Sequence, residues 1–390
     1  MRILAIETSC DETAVSIVDA EGDFPTATYE VLGTGLLSQA SKHAEYGGVY
    51  PTLAKREHIK NLVPMLRIAL QEADLYQEQV QDLDSTVVEQ IRSILERESD
   101  LATDLLDFLI THTLPQFDLI AVTNGPGLAP ALWVGVNFAK ALAAVLNCPV
   151  LPVNHMEGHI FASVYDIEID NGLSPIAFPA VSLLISGGHT ELVLLEDWQI
   201  TRKIGQTRDD AVGECFDKVA RTLGLPYPGG PAIERLSAEA IKNNLPMYKA
   251  DLPRPMLYSG DLDFSFSGLK TSVRYAVADK TLTATEQAAL CRDVSEAIRD
   301  VLLAKTHDAL QQYGAPTLIV GGGVSASQYL RDAFTTYFAE EMPDVTVYFP
   351  HRPLSTDNAV MIALAAHARL DEVRTGASVA RIAADGNRSL

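Results

Sequence analysis

The sequence predicts an α/β fold built from two similar halves, and two observations support this. Apolar runs typical of strands alternate with amphipathic helical stretches along the 390 residues, as expected for sheets covered by helices. The same succession of elements also occurs twice. Residues 3–18 have the pattern of a strand, a polar turn and a second strand, and residues 180–195 repeat it. The repeat predicts a duplicated fold with two lobes around a cleft.

Each predicted half continues with a strand, a glycine-rich turn and a helix. In the first half, Leu119–Val122 leads to Asn124-Gly-Pro-Gly127 and to a helix through about Val145. In the second half, Leu318–Val320 leads to Gly321-Gly-Gly323 and to a helix from about Ser325. Further β runs follow at 150–153 and 345–349. The alternative is that these are only the strand–glycine–helix units that any α/β chain contains.

Residues 72–115 are predicted to be an acidic helical insertion. Residues 72–107 contain eleven acidic residues and two arginines, a net charge of −9. The apolar positions Val80, Leu83, Val87 and Ile91 have helical spacing, and Thr86 with Glu89 matches a capping box. A second helix is expected over about 100–112. The segment is expected to be an appendage of the first lobe and not part of its core.

Composition limits the classes of function. The net charge of −21 and the pI near 4.7 argue against a general nucleic-acid-binding protein, although net charge does not describe any one cleft. The four cysteines form no C-x-x-C pair, which fits a reducing cytosol. Neither a signal peptide nor an uninterrupted apolar stretch long enough to span a membrane is expected.

The first candidate site is the run Asn154-His155-Met156-Glu157-Gly158-His159. Two histidines at i and i+4 lie on one helix face and suit a shared metal ion. Zinc proteases use this histidine spacing, but their glutamate directly follows the first histidine, whereas Glu157 comes one position later. Asp357, at the start of an apolar helix, is the candidate third ligand. The alternative is a pair of surface or cleft histidines without a metal.

Two turns are candidate phosphate sites. Ser186-Gly187-Gly188-His189 connects two strands, and Gly321-Gly322-Gly323 precedes a helix, where free N–H groups favour anions. Asp11 and Glu12 form an acidic hairpin tip that suits a general base or a cation, or is simply a solvated turn. Lys270 and Arg274 share a helix face that could meet phosphate.

These motifs resemble the tRNA adenosine threonylcarbamoyltransferases, formerly called the glycoprotease family. The resemblance extends over most of the chain outside residues 72–115 and about the last twenty. The motifs that carry it are Ile6–Thr13, His43–Gly48, Asn124–Leu128, His155–His159, Ser186–Thr190, Gly213–Lys218, Tyr227–Pro231, Phe264–Thr271, Gly322–Ser325 and Thr356–Asn358.

The resemblance implies a duplicated actin-like, sugar-kinase-like and Hsp70-like fold. It implies that His155, His159 and Asp357 hold one divalent metal ion, iron or zinc, and that Asp11 and Glu12 lie near the reacting group. The adenylate donor, threonylcarbamoyl-AMP, is expected at the following residues: Leu184, Ile185, Ser186, Gly187, Gly188, Asp217, Gly230 and Ser327. Ser327 departs from the family, which commonly has Asn at this turn.

The resemblance also predicts lobes, partners and location. We expect an N-terminal lobe over 1–170, a C-terminal lobe over 171–350, and a segment 351–390 that carries the metal-ligand turn and a helix packing back on the N-terminal lobe. tRNA is the expected acceptor, with basic groups such as Lys55, Arg56 and Lys60 facing its phosphates. A small paralogous actin-like subunit and a P-loop ATPase subunit are the expected partners, in the cytoplasm and away from membranes.

Three other readings of the sequence remain. A small-molecule kinase or ATPase of the same fold would have little use for the histidine pair. A non-catalytic assembly protein of the actin type would tolerate loss of the histidines. The third alternative, a metalloprotease, is disfavoured by the position of Glu157.

Overall fold

The computed structural model describes residues 1–168, 170–248, 251–278 and 280–390. Its strands are β1 (Arg2–Glu7), β2 (Glu12–Glu21), β3 (Thr28–Ser38), β4 (Gln77–Glu78), β5 (His112–Thr113), β6 (Leu119–Gly125), β7 (Val150–Asn154), β8 (Tyr165–Asp166), β9 (Gly172–Leu173), β10 (Ala180–Ile185), β11 (Thr190–Leu195), β12 (Thr201–Gln206), β13 (Thr317–Gly321) and β14 (Thr346–Tyr348). Its α-helices are α1 (Ala40–His43), α2 (Pro51–Glu72), α3 (Ser85–Ile94), α4 (Ser99–Thr111), α5 (Ala129–Leu146), α6 (His155–Val164), α7 (Val212–Thr222), α8 (Gly229–Lys242), α9 (Ser267–Ala276), α10 (Ala284–Tyr313), α11 (Gln328–Glu341) and α12 (Ala359–His367).

The chain divides into two compact units. Unit 1 comprises residues 1–43, 49–174 and 357–390, and unit 2 comprises residues 44–48 and 175–356. In unit 1 the strand order is β7-β6-β1-β2-β3-β9-β8. Strands β1, β2 and β3 are antiparallel neighbours, whereas β6 and β7 run parallel to β1.

Unit 2 repeats the core of this sheet. Its strand order is β12-β11-β10-β13-β14, with β10, β11 and β12 antiparallel and with β13 and β14 parallel to β10. The first three strands and the two parallel strands therefore take the same places in both sheets. This identity of order confirms the predicted α/β duplication, since unrelated strand–glycine–helix units would not reproduce one order in two sheets.

Most predicted elements are present, with differences at their ends. Strands β1, β2, β10 and β11 lie where the repeat predicts them, and α5 ends at Leu146. The helix expected from Ser325 begins three residues later, because a 3₁₀ turn over Gly323–Ala326 comes first and Ser327 caps α11. Helix termini often tighten into such turns, which sequence periodicity does not reveal.

The close packing of α6 on α12 is the feature of unit 1 that matters most for the candidate site. All nine residues of α12 are buried, and the helix contacts β1, β2 and α6. A Cβ added at Gly158 of α6 would lie 3.0 Å from Cγ of Met361 and 3.1 Å from Cδ1 of Ile362. Glycine therefore permits a separation of the two helices that a larger residue would widen.

The acidic segment 72–115 differs from the expected appendage. Its two helices form as α3 and α4, but α3 is capped by Asp84, whose side chain accepts from the main chain of Thr86. Glu89 is therefore not the partner in a capping box. Helix α3 packs on α5, and α4 packs on α2. The fully buried residues Ile91, Leu95, Leu101 and Leu105 belong to the core of unit 1, whereas Val80 is 82% exposed.

Helix α5 is long and apolar enough, by length and composition, to cross a membrane, and it is the one helix of this kind in the described part of the chain. Ten of its residues are buried, including Leu132, Val136 and Phe138. Seven of them, including Val136 and Phe138, contribute to the same core as α2 and the acidic segment. This is the environment of a central helix in a folded domain.

We predict that Leu105→Ala destabilises the protein and that Val80→Ala does not. Leu105 is fully buried, so its truncation should lower the free energy of unfolding by about 2–5 kcal/mol. Val80, in the same acidic segment, should change it by less than about 0.5 kcal/mol. Urea denaturation of both variants measures the difference. Equally small effects would show that the segment is only attached to the surface of unit 1.

Candidate active site

Unit 1 brings together the three residues expected to bind a metal. Helix α6 begins at His155, and its N-cap residue Asn154 accepts from the main-chain N–H of Met156 at 2.9 Å. His155 and His159 lie one turn apart, next to Asp357, which comes two residues before α12. The ligand atoms of His155, His159 and Asp357 all lie within 4.8 Å of one another. Nε2 of His159 is 3.2 Å, and Nε2 of His155 3.5 Å, from Oδ1 of Asp357.

The chemistry of this cluster fits a divalent cation. Nε2 of His159 is buried and, among the described residues, makes no hydrogen bond despite lying 3.2 Å from Oδ1 of Asp357, a costly arrangement for a polar atom unless something binds it. Two imidazoles and one carboxylate are a usual donor set for zinc and for non-haem iron. Burial lowers the pKa of His155, but Asp357 and Glu7 overcome this and raise it to about 9. The negative charges that favour a proton there would equally favour a metal cation.

Glu7, at the end of β1, orients His155. Its carboxylate is fully buried and lies 3.1 Å from Nδ1 of His155. It also accepts from the main-chain N–H of Ser9 and from the hydroxyl of Thr123, both at 2.5 Å. Because a carboxylate only accepts, Nδ1 of His155 carries a proton, and Nε2, on the side of Asp357, is the nitrogen that would bind a metal ion in place of a second proton. Sequence reasoning gave Glu7 no role, although an acidic residue ending a buried strand is a usable signal.

Glu157 is not available as a protease-like base. Arg369 donates to its carboxylate through Nε at 2.6 Å, and the Nη2–Oε1 distance is 2.5 Å. Burial raises the pKa of Glu157, although Arg369 opposes that rise. The arrangement lacks the free glutamate that a zinc protease would need beside its histidine pair.

The turn between β1 and β2 is buried and not a solvated hairpin tip. Asp11 is only 9% exposed, and the hydroxyl of Ser38 donates to Oε1 of Glu12 at 3.0 Å. Burial raises the pKa of both carboxyls, and the nearby negative charge of Asp357 raises each further. Asp11, Glu12 and Asp357 therefore form one crowded acidic group in unit 1, which a cation would relieve.

In unit 2, the predicted donor residues begin at the end of β10. The side chains of Leu184 and Ile185 lie in the core, so only their main chain is available to a ligand. The hydroxyl of Ser186 accepts from the N–H groups of Gly188 and His189 at 3.3 and 3.1 Å. Nothing lies within 4 Å of where a Cβ of Gly187 or Gly188 would be. The turn is thus open to a ligand on its glycine side.

Glycines hold two neighbouring segments against this turn. A Cβ at Gly213, in the first turn of α7, would lie 2.7 Å from the carbonyl oxygen of Ser186. Gly322, with φ of +87°, approaches the carbonyl oxygen of Ile185 in the same manner. The structure therefore gathers the ends of β10 and β13 and the start of α7 at the carboxyl edge of the sheet, where α/β folds commonly bind ligands.

The other expected donor residues of unit 2, Asp217, Gly230 and Ser327, make different contacts. One carboxylate oxygen of Asp217 accepts from the N–H of Gly229 at 2.7 Å, which joins α7 to the start of α8. The position of a Cβ on Gly230 is open. Ser327 is the N-cap of α11, and its hydroxyl accepts from the N–H of Leu330 at 3.4 Å. An asparagine would serve equally as an N-cap.

Asp209 fixes the start of the motif Phe264–Thr271, for which the sequence suggested no hydrogen-bond partner. Its carboxylate accepts from the hydroxyls of Ser265 and Ser267 and from the N–H groups of Phe266 and Ser267, at 2.6 to 3.2 Å. Burial raises the pKa of Asp209, but these hydrogen bonds lower it overall. The bonds hold the start of α9, and with it Lys270 and Arg274, to the chain preceding α7.

The basic residues of α2 are not all free. Nζ of Lys55 lies 2.9 Å from the buried carboxylate of Glu98, so its charge is used within unit 1. Arg56 and Lys60 are exposed. Of the three basic groups of α2 expected to face tRNA phosphates, Lys55 is therefore the poorest candidate.

Comparisons with known proteins agree on one family. The sequence model described as "TsaD: tRNA N6-adenosine threonylcarbamoyltransferase" matches residues 30–88 and 100–364. A relative from Persephonella marina, named tRNA N6-adenosine threonylcarbamoyltransferase, is 40% identical over 378 residues, which are 96% of this chain and 92% of the relative. One of the same name from Kosmotoga olearia is 40% identical over 94% of this chain and 93% of its own length.

Among solved structures, component A of (R)-2-hydroxyglutaryl-CoA dehydratase from Acidaminococcus fermentans is similar, with a TM-score of 0.46 and 11% identity. The match covers 95% of this chain and 97% of that one. This likeness is too low to bear on the reaction. The sequence matches are decisive, because they cover most of the chain at high identity. The chain belongs to the tRNA N6-adenosine threonylcarbamoyltransferase family.

Proposed function

We propose that this protein transfers the threonylcarbamoyl group of threonylcarbamoyl-AMP to the exocyclic amine of the adenosine next to the anticodon, in tRNAs that read codons starting with A. The observation that carries the proposal is the cluster of His155, His159 and Asp357, in which the buried Nε2 of His159 makes no hydrogen bond among the described residues. A kinase or ATPase of the same fold has no need of such a cluster. The names of the relatives supply the acceptor and the group transferred.

The reaction is an acyl transfer whose demands on the protein are mainly positional. The amine nitrogen bonds to the carbamoyl carbon, and the bond from that carbon to the phosphate oxygen breaks. AMP leaves with the electron pair, and the amine loses a proton. Because AMP is a good leaving group, holding the reactants in place and stabilising developing charge are the main tasks.

We assign the donor to unit 2 and the metal to unit 1. The open turn Ser186–Gly188, the main chain of Leu184 and Ile185, and the region of Asp217, Gly230 and Ser327 would hold the adenylate. His155, His159 and Asp357 would hold one iron or zinc ion, which supplies Lewis acidity and a template for oxygen ligands. Glu7 keeps His155 in the tautomer that this requires.

Asp11 is the residue best suited to take the proton from the amine. Its burial raises the pKa of its carboxyl, and a carboxylate made more basic in this way is a better proton acceptor near neutral pH. Glu12 and Ser38 form the other side of the turn. Asp11 and Glu12 are thus proposed as the catalytic pair.

We also propose partners and a location. tRNA is the acceptor, and the exposed Arg56 and Lys60 are suited to its phosphates. The small paralogous actin-like subunit and the P-loop ATPase subunit, both implied by the resemblance, are the proposed protein partners. The cytoplasm is the proposed location, since it holds tRNA and keeps thiols such as the four free cysteines reduced.

Product analysis tests the reaction directly. The protein is incubated with threonylcarbamoyl-AMP and an unmodified tRNA transcript, with and without the two partner subunits, and the digested nucleosides are analysed by mass spectrometry. We expect the threonylcarbamoyl adduct of adenosine. A transcript with guanosine in place of the target adenosine should give none. Absence of the adduct in both reactions, with the donor intact, would overturn the proposal.

We predict that His155→Ala and His159→Ala each lose bound metal and most transfer activity while remaining folded. Each change removes one of three ligands, and a bidentate remnant binds far more weakly. Metal content by mass spectrometry, circular dichroism and transfer rate are measured on the same samples.

His112→Ala is the matched control. This histidine is also buried in unit 1, but it bonds to Tyr76 and lies outside the cluster. It should keep its metal. A His155→Ala, His159→Ala double variant that is metal-free and fully active would contradict the assignment of the metal site.

We predict that Asp11→Asn slows transfer and leaves donor affinity unchanged. The amide keeps the size of the side chain but cannot accept the proton, so the single-turnover rate should fall about a hundredfold or more. Asp23→Asn, the same change at an exposed position of unit 1, should have no effect. An unchanged rate in Asp11→Asn would return this turn to a structural role.

A further inference from the structure

Four buried polar side chains of unit 1 lie beneath the turn that carries Asp11 and belong to no assigned site. They are Thr13 on β2, Gln39 before α1, His43 at the end of α1 and His58 on α2, and none is exposed to solvent. Polar groups so deeply buried are expected to satisfy one another. They form one connected chain of hydrogen bonds. The groups at its two ends determine which atom donates and which accepts in each bond.

The first end is the carbonyl oxygen of Cys10, the residue before Asp11. Nε2 of His58 lies 3.0 Å from this oxygen. A carbonyl can only accept, so His58 carries its proton on Nε2, and Nδ1 of the neutral ring is an acceptor. The hydroxyl of Thr13, 2.8 Å from Nδ1, therefore donates to it. Nε2 of Gln39, at 3.4 Å, then donates to the oxygen of Thr13.

The second end is the main-chain N–H of Tyr50, which donates to Nδ1 of His43 at 3.2 Å. That bond leaves the proton of His43 on Nε2, which donates to Oε1 of Gln39 at 3.2 Å. One orientation of the Gln39 amide serves both bonds: its Oε1 faces His43, and its Nε2 faces Thr13. Both ends thus agree on a single ordering of protons from Tyr50 to Cys10.

Burial keeps both histidines neutral, although most of the charges around them favour a second proton. Burial lowers the pKa of His43 despite the nearby carboxylates of Asp11 and Glu57. Burial also lowers the pKa of His58 to about 4, against the opposing effects of Glu7, Glu57 and the carbonyl of Cys10 and with a small further lowering from His43. Lys42 forms an ion pair with Glu57, which offsets the negative charge of that carboxylate. A second proton on His43 would face the N–H of Tyr50, and one on His58 would face the hydroxyl of Thr13, so that two donors would meet in each case.

We propose that Thr13, Gln39, His43 and His58 are positioning residues that hold the main chain of Cys10 and Asp11, and through it the Asp11 carboxylate, in the geometry used for transfer. The main-chain N–H of Gln39 also donates to the carbonyl oxygen of Asp11 at 2.9 Å. The successive carbonyls of Cys10 and Asp11 are therefore both held by residues of this hydrogen-bond chain. The inference rests on the role proposed above for Asp11.

Thr13→Val is the first test, because it removes one hydroxyl and keeps the shape of the side chain. Nδ1 of His58 then keeps only the longer contact with Nε2 of Gln39, at 3.4 Å, so His58 and the carbonyl of Cys10 are held less firmly. We expect the transfer rate to fall about tenfold to a hundredfold, as for a small misplacement of a catalytic group, with unchanged donor affinity and metal content. Ser16→Ala is the control: it removes another buried hydroxyl of β2, one that bonds only to Thr34, and should leave the rate unchanged.

His58→Gln and His58→Phe separate positioning from packing. Glutamine can still donate to the carbonyl of Cys10, whereas phenylalanine fills the space without donating. We expect His58→Gln to retain more of the transfer rate than His58→Phe at similar melting temperatures. Equal rates in folded Thr13→Val, His58→Phe and wild-type protein would overturn the proposal.

The proton order is tested without any activity measurement. Nitrogen-15 NMR of the histidine rings should show His43 and His58 neutral and protonated on Nε2 at pH 7, and both signals should change in Thr13→Val. A charged ring, or a proton on Nδ1, would overturn the chain as described. If wild-type protein makes no adduct but the NMR result holds, the proposed reaction fails and the hydrogen-bond chain stands.

Discussion

The close approach of α6 to α12 at Gly158 is the contact on which the candidate active site depends. The two helices come from parts of the chain about two hundred residues apart, and a Cβ at Gly158 would press on Met361 and Ile362. Since α12 is apolar on every side and packs on β1, β2 and α6, its position is set by the core. Asp357, just before it, is thereby placed against His155 and His159. The apolar packing of unit 1 thus determines a polar geometry.

Buried charge in unit 1 is costly unless each group has a partner. Glu7 has His155, Ser9 and Thr123, and Glu157 has Arg369. The acidic group formed by Asp11, Glu12 and Asp357 is different, because burial and mutual repulsion raise the pKa of Asp11 and Glu12. A fold selected only for stability would avoid this arrangement. Its presence beside a buried imidazole nitrogen that makes no hydrogen bond among the described residues is the electrostatic reason to expect a cation.

The two units share one sheet order but differ at the turns that follow its strands. The turn after the first strand is acidic and buried in unit 1, at Asp11, and glycine-rich and open in unit 2, at Gly187. The turn after the first parallel strand also differs. In unit 1, a Cβ on Gly125 would collide with the carbonyl oxygen of Asp385, so the C-terminal segment covers that turn. In unit 2, the corresponding Gly323 has open space around it. Equivalent positions are thus acidic or covered in unit 1 and glycine-rich and open in unit 2.

The sequence by itself determined the duplicated α/β pattern, the helical pairing of His155 with His159 and the open glycine turns, because periodicity and local backbone preference act over a few residues. Only the tertiary structure decided which distant groups meet. Lys55 turned to Glu98, Asp217 bonded to Gly229, and the acidic helices joined the core of unit 1. The chain of hydrogen bonds from Tyr50 to Cys10 has no local sequence pattern either, since its members come from separate elements. Such contacts depend on how sheets and helices pack, and packing is a property of the whole fold.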